Sequence, residues 1–413
     1  MRTALCLLLL LSTTTASAST YYVSPGGSGS CQTATSPGGA VGSITAGTQC
    51  LSGGDTLIVG DGTYGECLAD VIPSGRSAQE PTTIKAAHPR QARLTGPIGP
   101  CSDSLIQLGQ RGGEARHYIT IDGLFLDIPT DRPGFGVKPL GGAEDGSQSG
   151  SHDLVFQNLE IQGGLNSGNV SSFSIGIGQG GNQYGWTFRN NFFHDIGMAG
   201  ATPDQAAWSY GLYISGSDNV IAGNTFARIS AFGIHGYSTS DHLHRNLICN
   251  NTFENLGGPA MLICGSDNRI MGNSINGAGK GPANNSARGG INLALSCSGV
   301  PANGNQILGN VIRGVVSNAG QEGCIALTLP GRGTANSNVV RDNTCYDNTE
   351  DIISNQVGSN TVENNHCSGA GCSTAGGPQF ASAAVSDGSC PAGAPSPKPK
   401  LPTPKKLHRV SLP

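Results

Sequence analysis

Apolar and polar positions in this chain do more than alternate; they return as a phrase. "SGSDNVIAGNTF" from Ser215 recurs as "CGSDNRIMGNSI" from Cys264, and as "ANGNQILGNVI" from Ala302. Nine segments share the order apolar, any, turn residue, ladder residue, any, apolar. The first apolar position is Ile121, Phe156, Phe188, Ile221, Ile248, Ile270, Ile307, Val340 and Val362 in turn, and the last is Leu126, Ile161, Phe193, Phe226, Phe253, Ile275, Ile312, Cys345 and Cys367. Between them lies a position occupied only by Gly, Asn or Asp, from Gly123 and Asn158 to Asp342 and Asn364. These residue types tolerate a left-handed backbone, so each segment is expected to bend sharply there between two short strands. The next position is Leu124, Leu159 and then Asn seven times, from Asn191 to Asn365. Stacked Asn amides bond from one copy to the next, so a ladder is predicted to begin at the third copy.

A further strand lies between successive copies, as in "GFGV" at Gly134, "GLYI" at Gly211, "GIHG" at Gly233 and "GINL" at Gly290. Each repeat then holds three short strands and three bends. Short strands that bury one side, repeated with insertions at fixed corners, predict a parallel β-solenoid of about ten or more coils. Cys345 and Cys367 fall in one column of adjacent coils, so their backbones are expected about 4.8 Å apart. That spacing admits a disulfide or a pair of stacked thiols.

Composition adds the compartment. Residues 1–18 carry one Arg, a short Leu-rich run and a small-residue end at Ala16, Ser17 and Ala18, the pattern of a cleavable export signal. The run is too short to span a bilayer, and no later segment suits a membrane span. A secreted or periplasmic protein is expected. Loss of Cys6 with the signal leaves twelve of thirteen cysteines, an even number that in an oxidising setting predicts several disulfides of unspecified pairing. Net charge is −4 and charged residues are 12%, too mild a balance to imply nucleic acid. From Pro391 the chain is Pro- and Lys-rich with no apolar period, which reads as a disordered tail over 391–413. The solenoid is therefore placed at 19–390, and a monomer is expected.

"TYYVSPGGSGSC", "GSITAGTQCLSGGDTLIVGDGTYGE" and "PTTIKAAHPRQARLTG" resemble the amino-terminal part of secreted right-handed parallel β-helix proteins of the pectin-lyase-like superfamily, closest to polysaccharide lyases of the chondroitinase B and alginate lyase type. The resemblance implies an all-β right-handed helix, a capping helix around Ser43 to Leu51, and an appetite for polysaccharide. That group's lyase signature, a Lys and an Arg on neighbouring coils beside an Asn/Glu calcium cluster, has no matching counterpart. Neither does the paired Asp of polygalacturonases.

Strand alternation puts every second residue of the Gly-opened strands outside, giving an expected outer column of Gly136, Gly176, Tyr213, His235, Leu262, Asn292, Ala326 and Ile353. Long loops enter the Tyr213 and Asn292 strands, and short ones enter the two between. A groove is predicted, floored by His235 and Tyr237, with His194, Asp195, Asp204 and Trp208 on one side and Lys280 and Arg288 on the other. Three coil steps give roughly 15 Å, room for about three sugar units. Trp208 and Tyr213 suit sugar faces, with Asn292 beside them, while Lys280 and Arg288 suit a uronate carboxylate. For β-elimination such neutralisation acidifies the C5 proton, with His235 as base and Tyr237 as acid or base partner. No Cys/His cluster has zinc spacing; no metal is assigned and no cofactor is expected, calcium alone being left open. The expected activity is lyase action on an acidic, uronate-containing polysaccharide. Two alternatives stay open, a glycoside hydrolase on the same scaffold and a glycan-binding or adhesin solenoid.

Overall fold

The computed structural model describes residues 17–96, 101, 103–109, 114–130, 134–139, 150–164, 174–180, 182–197, 208–237, 242–281, 289–293, 300–317, 323–327, 335–355 and 358–368. Most of the stretch expected to be an export signal, and all of 391–413, lie outside them.

Three all-parallel sheets run the length of the described chain. Sheet 1 has twelve strands, from Thr20–Val23 to Thr361–Glu363; sheet 2 has ten, from Gly62–Tyr64 to Thr344–Tyr346; sheet 3 has ten, from Leu68–Ala69 to Ile353–Ser354. Each strand pairs with the strand one coil before and one coil after, so the chain winds sheet 1, sheet 2, sheet 3 and back. This is the right-handed parallel β-helix, with the core enclosed between the three sheets. Its amino-terminal end carries helix α1, Ile44–Thr48, shorter than the Ser43–Leu51 stretch expected. Ser43 Oγ accepts from Ala46 N at 3.1 Å. Glu66 accepts from Ile44 N and Thr45 N at 2.6 and 2.9 Å, so a carboxylate occupies the donor-rich end of the helix. The disulfide Cys31–Cys50 ties the same end down.

The corner between sheets 1 and 2 follows the predicted columns. Gly123, Asn158, Asn190, Gly223, Asn250, Gly272, Gly309, Asp342 and Asn364 all have φ between 53° and 73°, the left-handed bend their residue types favour. Directly after it, Asn191, Asn224, Asn251, Asn273, Asn310, Asn343 and Asn365 form one continuous ladder of side-chain bonds at 2.9–3.0 Å. Each rung is satisfied on several sides. Asn251 Oδ1 accepts both the backbone N and Nδ2 of Asn224, while its own Nδ2 donates to Asn273 Oδ1 and to the Ile221 carbonyl.

A second ladder, not anticipated from the sequence, turns the corner from sheet 3 to sheet 1. It joins Asn219, Asn246, Asn268, Asn305, Asn338 and Asn360, with Gln179 Nε2 donating to its first member. The signal was present: each of these Asn stands two residues before the first apolar column.

Inside, Phe193, Phe226 and Phe253 of sheet 2 stack at 4.9 Å per step and are fully buried. Facing them, Gly176, Gly211 and Gly233 of sheet 3 leave no room for a side chain: an added Cβ would lie 2.6–2.7 Å from a ring carbon of Phe193, Phe226 and Phe253 respectively. The recurring Gly of the sheet 3 strands is thus the counterpart of the Phe stack, a close approach rather than a turn.

The register of sheet 3 differs from the expected outer column. Tyr213 pairs with Gly178 and His235, His235 with Leu262, Leu262 with Asn292, Asn292 with Ala326, and Ala326 with Ser354. Gly178 and Ser354 therefore occupy the places assigned to Gly176 and Ile353. Gly176 instead faces the Phe stack, and Ile353 is buried, as are Leu262, Asn292, Ala326 and Ser354, so the exposed column expected from the sequence narrows to Tyr213 and His235. The cysteine expectation also changes: Cys345 is bonded to Cys324 across the core, with Cα atoms 6.1 Å apart, and not to Cys367. Cys67 pairs with Cys101, and Cys249, Cys264 and Cys367 are disulfide-bonded as well.

Candidate functional site

The sheet 3 strands Ser209–Ile214 and Phe232–Gly236 lie side by side and gather aromatic rings on their outer face. His235 is at the centre. Its ring stacks on Tyr210 at 4.9 Å and 11° and on Tyr237 at 5.6 Å and 15°, meets Tyr213 edge-on at 5.1 Å, and lies 4.9 Å from Phe232. Tyr210 and Phe232 were not among the predicted residues, although each directly precedes its strand's Gly. They occupy one register position on adjacent strands and supply one side of the box.

No polar group of the described residues meets His235 Nδ1, which is sealed from water. Burial pushes the pKa of this imidazole down to about 3. His235 is therefore neutral at ordinary pH. Burial pushes the Tyr213 phenol upward, the nearby Tyr237 phenol adds to the effect, and a hydrogen bond with Ser215 opposes it. One box thus holds a neutral imidazole beside a firmly protonated phenol.

Asn292 sits two coils along the same column and is fully buried. Trp208 immediately precedes the Tyr210 strand and is half-buried. Lys280 is exposed at the corner between sheets 2 and 3, where its Nζ donates to Asn255 Oδ1 at 3.4 Å. Asp204 and Arg288 lie outside the described residues.

His194 and Asp195 belong to a sheet 2 strand, Phe192–Ile196. His194 is only 2% exposed, stacked on Phe192 at 4.1 Å, with Nδ1 2.7 Å from Asp195 and Nε2 3.2 Å from Glu160. Asp195 is gripped in turn by Arg228, whose Nε and Nη2 donate to its two oxygens at 2.7 Å. These groups form an ion-pair network on sheet 2. Burial opposes the His194 imidazolium, but its hydrogen bonds to Asp195 and Glu160 and their charges overcome it and hold the pKa above 6.5. Burial likewise opposes the Asp195 carboxylate, and the bonds to His194 and Arg228 outweigh it, holding its pKa well below the ordinary 3.8.

The sign of the pH effect follows from these directions. A depressed carboxylate pKa adds stability above about pH 4 that is lost as pH falls through the folded value. The raised His194 pKa adds stability below about pH 6.5 that is lost as pH rises through its folded value. Asp195→Asn is expected to flatten the acid limb of the unfolding midpoint below pH 4. Because Asp195 is half exposed, the cost at neutral pH should be only about 1 kcal/mol. Thermal melts of both proteins from pH 2 to 7 check this, and parallel curves would contradict it.

No family model matches the chain, and no curated protein matches its sequence. Solved structures do share its fold. A glycoside hydrolase aligns with TM-score 0.55 at 10% identity, over 84% of this chain and 97% of its own. A rhamnogalacturonan lyase aligns with TM-score 0.55 at 12% identity, over 84% and 87%. The GH136 lacto-N-biosidase from Eubacterium ramulus aligns with TM-score 0.52 at 14% identity, over 84% and 67%. At these identities the likeness is one of fold, the parallel β-helix.

Proposed function

We propose that this chain is an exported carbohydrate-active β-helix enzyme that cleaves an acidic, uronate-containing polysaccharide by β-elimination on the outer face of sheet 3. The observation that carries the reading is His235, a neutral imidazole packed among Tyr210, Tyr213, Phe232 and Tyr237. Aromatic rings suit the C–H faces of sugars, and an unprotonated imidazole suits proton abstraction. In the reaction, His235 takes the proton from C5 of the uronate and the electron pair forms the C4–C5 double bond. The C4–O bond breaks, and the departing oxygen takes a proton from a phenol. Tyr213, held protonated, joins Tyr237 as a candidate donor. Lys280 and Arg288 remain the proposed partners of the carboxylate. A uronate arriving beside His235 brings negative charge and raises its affinity for a proton, so its basicity is realised only with substrate bound.

The fold is shared with proteins named as a rhamnogalacturonan lyase, a glycoside hydrolase and a lacto-N-biosidase, which supports a carbohydrate substrate. The outer column favours elimination over hydrolysis. From Gly178 it reads Tyr213, His235, Leu262, Asn292, Ala326 and Ser354, with none of the paired carboxylates of a hydrolase among these described residues; Asp204 and Asp241 lie outside the described residues. The disulfides suit an oxidising compartment.

Incubation with pectate, alginate or chondroitin is expected to produce the ultraviolet absorbance of an unsaturated sugar end. New reducing ends without that chromophore would replace the lyase by a hydrolase. Binding without either signal would leave a glycan-binding solenoid.

A further inference from the structure

A second aromatic feature stands at the corner from sheet 3 to sheet 1, away from the His235 box. His117, His152 and Tyr184 hold one register position in three successive coils. Their rings stack face to face, 5.2 Å apart at 7° and then 5.1 Å apart at 8°. Tyr118 meets the first two edge-on. Tyr184 ends the stack. At 39% exposure it is the one exposed large hydrophobic side chain among the described residues. His152 covers one face of its ring, and among the described residues the register places Ser217 beside it in the next coil. The coil after that places His244 in the same column, where its carbonyl accepts from Asp218 N.

A two-coil interval with one small side chain in the middle is a slot. Two steps span about 10 Å, and a saturated six-membered ring in van der Waals contact on both faces needs about 8 Å. The rim is polar. Asp218 and Arg245 are exposed and joined by two bonds of 2.7 Å, and Ser217 Oγ donates to Asp218 Oδ2 at 2.8 Å. This pair is charge-balanced and offers donors and acceptors together, so it complements ring hydroxyls rather than a lone carboxylate.

We propose that the corner formed by Tyr184, Ser217, His244 and the Asp218–Arg245 pair is a second glycan-binding site, taking one pyranose unit by its uncharged C–H face against Tyr184. The inference rests on the carbohydrate reading of the chain but not on elimination chemistry or on His235. A site here would hold a long chain at a distance from the sheet 3 box and add to the affinity for polymer.

The test is titration of pectate, alginate and chondroitin chains into the full-length protein and its Tyr184→Ala, Tyr184→Phe and Ser217→Trp variants. Tyr184→Ala should weaken binding of the preferred polymer about tenfold, Ser217→Trp should do the same by filling the slot, and Tyr184→Phe should retain affinity. The loss should be equal at low and high salt, because the contact is with an uncharged face. All variants should melt with the parent protein, which a merely structural role for the ring would not allow. Parent-like affinity in both Tyr184→Ala and Ser217→Trp would overturn the second site alone. Failure of the unaltered protein to bind any of the three would overturn the carbohydrate reading and this site with it.

Discussion

Asn251→Ala should cost about 4 kcal/mol of stability, far more than a typical surface change. The residue is 1% exposed and in the middle of the first ladder. Its removal strips the acceptor from two donors of Asn224, the backbone N and Nδ2, and takes a donor from Asn273 Oδ1 and from the Ile221 carbonyl. Each buried group left unsatisfied costs about 1–3 kcal/mol, and the losses are not fully additive. Asn360→Ala provides the comparison. It ends the second ladder, is half-buried, and accepts from Asn338 at 2.9–3.0 Å; water replaces it, and about 1 kcal/mol should be lost. Urea midpoints by far-ultraviolet circular dichroism separate the two. Equal, small shifts would mean that ladder rungs are interchangeable with solvent and do not hold the coils in register.

The architecture was legible because a solenoid writes its geometry locally. One bend needs a left-handed residue and one inward polar position needs an Asn, so Gly223 and Asn224 announce themselves within a few residues of chain. The second ladder escaped because Asn219 and its equivalents sit in runs such as "GSDN", where Asn reads as ordinary turn chemistry. Outer columns are harder. Assigning Gly176 to the column of Tyr213 required the strand to begin at the same place in every coil, yet insertions shift that start, and a shift of a single residue exchanges inner for outer positions.

The candidate site shows the same limit. The expected grouping of His235, Tyr237 and Tyr213 was legible because they lie on or directly after short strands of adjacent coils. The pairing of His194 with Glu160 and of Asp195 with Arg228 joins residues 33–34 positions apart, and no local pattern states whether such a group is offered to a ligand or consumed by a neighbour. Tyr210 and Phe232 were passed over for a related reason. A bulky residue beside a core-facing Gly looks like core, and only the register with the neighbouring strand places it against His235.

His235→Ala should lower kcat/KM on the cleaved polysaccharide by about a thousandfold, and Tyr213→Phe by about a hundredfold, within the range of general acid–base contributions. The pH profile gives the sharper discrimination. A base must be unprotonated to act, so its contribution is lost as pH falls through its folded pKa. With that value near 3, kcat/KM should lack the falling acid limb near pH 6.5 that an ordinary histidine produces. The depression comes from burial, so opening the box should undo it. Phe232→Ser removes a ring 4.9 Å from the imidazole, admits water, and should raise the His235 pKa and bring an acid limb up toward pH 6. The same burial makes the folded chain lose stability as pH drops from 6.5 toward 3, since the unfolded imidazole takes up a proton that the folded one refuses. An acid limb near pH 6.5 in the unaltered protein, unmoved by Phe232→Ser, would show that a different group controls the rate and that the aromatic box does not tune the base.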